Sequence, residues 1–125
     1  MKVLKSFGWA MNGISTAWKE EMNFRIQMGL AIFVLALGAY LDFTRLEWII
    51  IIGAIVAVLS AELVNTAIED LCNKVEPTHD PVIGKIKDIM AGFVFVVCLG
   101  AILVGGIVFS EHIPELKAEL TSQEL

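Results

Sequence analysis

Three stretches of this chain are long and apolar enough to cross a membrane, which leaves few folds open to it. A hydrocarbon core about 30 Å thick needs roughly 20 apolar residues per helical span. Residues 26–43 (IQMGLAIFVLALGAYLDF), 46–68 (LEWIIIIGAIVAVLSAELVNTAI) and 89–110 (IMAGFVFVVCLGAILVGGIVFS) meet that need, the first near its lower limit. With 57% of its 125 residues hydrophobic, the chain is too apolar for an ordinary soluble domain and too short for several domains. The expected architecture is an all-α membrane protein, a single domain over residues 1–125.

The segments outside the spans refine that picture. Val3, Leu4, Phe7, Met11, Ile14, Trp18 and Met22 recur every three or four residues, with Lys5, Asn12, Ser15 and Lys19 on other faces. This predicts an amphipathic helix over residues 1–22, lying on the membrane surface or packed on a partner subunit. It lacks the compact apolar core and small-residue cleavage site of a signal peptide. The connection DFTRLE is short and forces the first two spans into an antiparallel hairpin. VEPTHDPVIGKIKD is longer, holds Pro77, Pro81 and Gly84, and is not expected to be helical throughout. Residues 111–125 read as a short, partly frayed helix that carries much of the net charge of −5. Cys72 and Cys98 read as packing residues.

Positive charge sets the orientation. Lys2, Lys5, Lys19 and Arg25 precede the first span and Lys74, Lys85 and Lys87 lie between the second and third, against Arg45 and Lys117 on the other side. The N-terminus is therefore expected on the cytoplasmic side.

The informative irregularity is AELVNTAIEDLCN, residues 61–73, where acids interrupt the end of the second span. If that span enters the hydrocarbon near Leu46 and rises about 1.5 Å per residue, Glu62 is about 24 Å along and still within the core. Glu69, at about 34 Å, has reached the headgroups. Glu62, Asn65 and Glu69 are spaced i, i+3, i+7 and share one helix face. An ionisable side chain in hydrocarbon costs roughly 2.5–3.5 kcal/mol, so Glu62 needs a role or a partner. A carboxylate at lipid depth can take a proton from a lipid hydroxyl, and one reachable from water can hold a divalent cation. Mg²⁺ in particular bridges carboxylates to phosphates. Periodicity alone leaves open an ion pathway or a proton relay, and a structural hydrogen bond to another helix.

No GxxxxGK[ST] motif or Gly-rich kinase loop occurs. A nucleotide site would have to be assembled from carboxylates, metal and a few cations, with Lys85, Lys87 and Asp88 as candidates. In the charged run WKEEMNFRIQ, residues 18–27, individual members can equally be snorkelling and solvated.

Glu62, Asn65-Thr66-Ala67-Ile68 and Glu69, with EEMNFR before the first span and KIKD before the third, closely resemble the signature of the small bacterial integral-membrane diacylglycerol kinase family, which includes undecaprenol kinases. The resemblance implies an ATP- and Mg²⁺-dependent lipid kinase of the bacterial inner membrane, a homotrimer with composite sites between chains. By the same resemblance Glu62 is the catalytic base and Asn65 orients the reacting groups. Glu21 and Glu69 hold the metal bound to ATP, and Lys87 and Asp88 contact the nucleotide. Trp9, Thr78, His79 and Asp80 match further nucleotide contacts. The residues NFRI at 23–26 lean toward the undecaprenol type.

One position departs from the family pattern: an acid is expected where Asn73 stands. The amide cannot offset cationic charge, and Asn73 either faces the site or caps the helix end. Three thin helices cannot surround both a lipid headgroup and ATP, and Gly53, Ala54, Ala57, Gly100 and Gly105 would permit close helix contacts.

Overall fold

The computed structural model describes residues 1–124, which form five helices: α1 Lys2–Glu20, α2 Met22–Tyr40, α3 Arg45–Val75, α4 Pro81–Ser110 and α5 Ile113–Gln123. Helices α2, α3 and α4 are long and apolar enough to cross a membrane. The α1–α2 and α3–α4 connections lie at one end of these helices, called inner below. The α2–α3 turn and α5 lie at the outer end.

Hydropathy located the spans but not the helix ends. At about 1.5 Å per residue, the 31 residues of α3 and the 30 of α4 each reach about 45 Å, well beyond a ~30 Å core. Residues 69–75 and 81–88 therefore remain helical after leaving the apolar layer. The non-helical part of the inner connection shrinks to Glu76–Asp80. Helix α4 starts early because Asp80 caps it: its Oδ1 accepts from the Val82 and Ile83 amides at 2.8 and 3.1 Å. Pro81, which lacks the amide hydrogen that a first helical residue leaves unpaired, follows it. The inner connection is thus not helical throughout, as expected, although its KIKD end belongs to α4. Conversely, α2 stops at Tyr40, three residues before the apolar run ends.

That stop is a Schellman motif. Asp42 takes a left-handed backbone at φ 53°, which Asp tolerates better than most residues, and the Phe43 amide returns to the Gly38 carbonyl at 3.1 Å. Thr44 and Glu47 then form a reciprocal capping box at the start of α3, each side chain accepting from the other's amide at 3.2 Å. Phe43 is buried between them, its ring centroid 5.4 Å from Trp48 and 5.2 Å from both Phe109 and His112. Together with Ile51 and Val108 it forms the hydrophobic core at the outer end. The close approach depends on Gly38, where a Cβ would lie 2.7 Å from a Phe43 ring carbon.

The glycines expected to allow helix contact do not do so within one chain. A Cβ at Gly53, Gly100 or Gly105 would meet nothing within 4 Å among the described residues. Large apolar side chains on α2, α3 and α4, among them Phe33, Ile52, Phe95 and Leu103, are exposed, as befits helices whose solvent is lipid or another helix. On α1, Val3, Leu4, Phe7, Met11 and Trp18 are exposed as well. Cys72 is buried and Cys98 partly buried, both as free thiols.

Candidate active site

The α3 stripe meets α2 at the inner half of the molecule. Glu62 is 2% exposed, the most deeply buried polar side chain among the described residues. Its Oε2 accepts from Gln27 Nε2 of α2 at 3.2 Å. Three buried oxygens here have no hydrogen-bond partner among the described residues: Glu62 Oε1, Gln27 Oε1 and Thr66 Oγ1. Buried polar atoms are nearly always paired, so three orphans on two helices that meet through the Gln27–Glu62 bond single out this place as a candidate site. Asn65, half-buried on the next turn, continues the stripe to Glu69, which is exposed.

Glu21 joins this stripe from the break between α1 and α2. Its backbone is extended, with φ −111° and ψ 109°, which ends α1 and starts α2 at a new angle. Arg25 fixes the break: its Nη1 donates to the Trp18 and Lys19 carbonyls at 2.7 and 3.1 Å, satisfying the end of α1. Burial, followed by the charges of Glu69, Glu62, Asp70 and Glu20, raises the Glu21 carboxyl above its ordinary value. Such crowding of carboxylates favours a cation between them. Among the described residues no group of three His, Cys, Asp or Glu side chains is close enough to hold a metal alone. A pair of carboxylates sharing Mg²⁺ with phosphate oxygens does not require such a group.

On the opposing helix, Lys87 Nζ of α4 donates to Asn73 Oδ1 at 2.6 Å. Asn73 lies inside α3, three residues before its C-cap Glu76, so the helix-cap alternative for this side chain is overturned. Asp88 is exposed beside Lys87. The remaining sequence candidates are not tied to this cluster by hydrogen bonds among the described residues. Trp9 is 68% exposed on α1. The Thr78 amide donates to Glu76 Oε1 at 3.2 Å, and its hydroxyl donates to the same oxygen. His79 is exposed, and Asp80 spends Oδ1 on capping α4.

Sequence reasoning missed Gln27 and the orphan hydroxyl of Thr66. The signal for Gln27 was available: an amide inside an apolar span needs a partner across a helix interface. Above Gln27, toward the outer end, an apolar cleft of about 320 Å³ runs between α2, α3 and α4, walled by Leu30, Ile51, Val58, Ile102 and Phe109 among others.

The chain is similar in sequence to known proteins over most of its length. It is 30% identical over 108 residues to a diacylglycerol kinase of Haemophilus influenzae, covering 86% of this chain and 92% of that one. It is 33% identical over 108 residues to an undecaprenol kinase of Bacillus subtilis, covering 86% and 88%. An Escherichia coli diacylglycerol kinase is 24% identical over 112 residues, covering 89% and 91%. The family model for prokaryotic diacylglycerol kinase matches residues 8–109, from the middle of α1 to the end of α4. With the match spanning the buried Glu62, the α3 stripe and all three apolar helices, this multi-pass membrane protein belongs to the prokaryotic diacylglycerol kinase family and is a lipid kinase.

Proposed function

We propose that the protein transfers the γ-phosphoryl group of ATP to the hydroxyl of a membrane lipid, giving undecaprenyl phosphate or phosphatidic acid, at the inner membrane interface. The observation that carries this reading is buried Glu62, hydrogen-bonded to Gln27 at the inner end of an apolar cleft, with its other carboxylate oxygen lacking a partner among the described residues. A lipid tail in the cleft brings its hydroxyl to Glu62. The O–H proton passes to Glu62 as the oxygen bonds to the γ-phosphorus, and the bond to the β-phosphate oxygen breaks with its electron pair leaving on ADP. Asn65, one turn further on, orients the reacting groups.

Glu21 and Glu69 would hold Mg²⁺, and the mutual crowding of their carboxylates fits that assignment. When bound, the ion offsets negative charge on the phosphates. Lys87 and Asp88 serve the nucleotide, with Trp9, Thr78, His79 and Asp80 as outer contacts. Lys87 is positioned by Asn73, an amide that holds the ammonium without neutralising it, which leaves its full charge for phosphate. The exposed apolar faces and open glycines support a homotrimer in which neighbouring chains complete each site. The distribution of Lys and Arg supports a cytoplasmic N-terminus. The proton-relay alternative lacks a use for Lys87 and Glu21 and gives way to a kinase once the family is known.

Incubating purified protein with ATP and either undecaprenol or diacylglycerol, followed by product analysis, tests the reading. A phosphorylated lipid in one or both incubations is expected. ATP consumption without a lipid product would refute it.

A further inference from the structure

We infer that Gln27 is a positioning residue for phosphoryl transfer: by holding Glu62 Oε2, it makes Oε1 the oxygen that receives the lipid proton. The inference rests on the kinase reading above. A glutamate carboxylate turns easily about its last torsion and can present either oxygen. Here a hydrogen bond of 3.2 Å across two helices, between residues 35 apart in sequence, ties one of them. An ionised carboxylate only accepts, so the amide must turn its NH₂ toward Glu62 and its oxygen away.

The result is directional. Glu62 Oε1 is buried and unpartnered among the described residues, and so is Gln27 Oε1, while Glu62 as a whole is 2% exposed. Apart from the Cys98 thiol, Gln27 is the one polar side chain among the described residues on the wall of the apolar cleft. A lipid in that cleft therefore meets Gln27 at its polar end, and Glu62 is hydrogen-bonded to Gln27 there. Without Gln27 the carboxylate is free to turn, and its orientation toward the hydroxyl is lost for part of the time. Leaving Glu62 Oε2 unbonded also removes a charge-assisted hydrogen bond.

The test compares Gln27→Met, which keeps length and apolar fit but has no donor, with Gln27→His, which keeps a side-chain N–H at similar reach. Lipid phosphorylation is measured in the same lipid mixture, alongside KM for ATP and the thermal unfolding midpoint. Gln27→Met should lower kcat about 10- to 100-fold, the range for a hydrogen bond to a charged group. KM for ATP and the unfolding midpoint should stay at parent values, and Gln27→His should recover most of the lost rate. A Gln27→Met rate within threefold of the parent would overturn the inference. So would equal losses in both variants, or a loss matched by a fall in the midpoint, which is what a purely structural bond would give. A parent protein that phosphorylates no lipid would overturn it together with the kinase reading, whereas an active parent with an unimpaired Met variant removes Gln27 alone.

Discussion

At the outer end of the helices, a Schellman turn, a capping box and three aromatic contacts converge on Phe43, whereas at the inner end Glu62, Gln27 and Thr66 keep buried oxygens without partners among the described residues. The outer end also ties α5 down. His112 Nε2 lies 2.9 Å from Glu47 and Nδ1 lies 3.4 Å from Glu115, while the Tyr40 hydroxyl donates to Glu119 at 2.9 Å. Satisfied groups stabilise, whereas buried unsatisfied ones cost stability. The contrast suggests a division of labour: the outer turn fixes how α2, α3 and α4 meet, and the inner end is free to spend its polar groups on chemistry.

Substitutions at the two ends should then separate activity from stability. The largest effect is expected from Glu62→Gln, which keeps size but cannot accept the proton. Lipid phosphorylation should fall about 10²–10⁴-fold with an unchanged unfolding midpoint. Activity within threefold of the parent would remove Glu62 from the base role. Next come Glu69→Ala and Glu21→Ala, each of which should raise severalfold the Mg²⁺ concentration needed for half-maximal rate at fixed ATP. Normal titrations would end the metal assignment for that residue.

At the outer end the pattern should invert. Gly38→Ala drives a methyl to 2.7 Å from the Phe43 ring, and overpacking of this kind costs roughly 1–3 kcal/mol. The helix preference of Ala over Gly offsets at most about 1 kcal/mol of that. The unfolding midpoint should drop while the rate per folded molecule holds, and a midpoint at or above the parent's would show that the ring yields freely.

The smallest effect concerns His112. The hydrogen bond it donates to the Glu47 carboxylate raises its pKa above the ordinary value, burial opposes that, and Glu115 adds to it. A histidine whose folded pKa is raised stabilises fully below its ordinary pKa of about 6.5 and loses that contribution as pH rises through the folded value. The midpoint should therefore decline slightly over that window. In His112→Phe, which retains the ring against Phe43, the decline should vanish. An identical slope in both proteins would place the pH dependence elsewhere.

How far the sequence could be read follows from what each signal measures. Hydropathy reports residence in lipid, so it located all three spans but was silent on residues 69–75 and 81–88, where α3 and α4 continue into water and bring Asn73 to Lys87. The Asp80–Pro81 pair is a helix start, although within a polar segment it also reads as a turn. The end of α2 was hidden because its left-handed residue is Asp42 rather than a glycine. The spacing of Glu62, Asn65 and Glu69 disclosed one face of the candidate site, since helical periodicity is local. Gln27 reaches Glu62 across 35 residues, and no local pattern encodes that meeting.

The division between the two ends is tested most directly by sidedness. In sealed vesicles holding the protein in one orientation, established by whether added protease reaches Lys117 in α5, γ-labelled ATP can be presented to a single face. Labelled lipid is expected when ATP meets the face bearing Glu21, Glu69 and Lys87, and none when it meets the face bearing α5. Lipid labelled from the α5 face would contradict it.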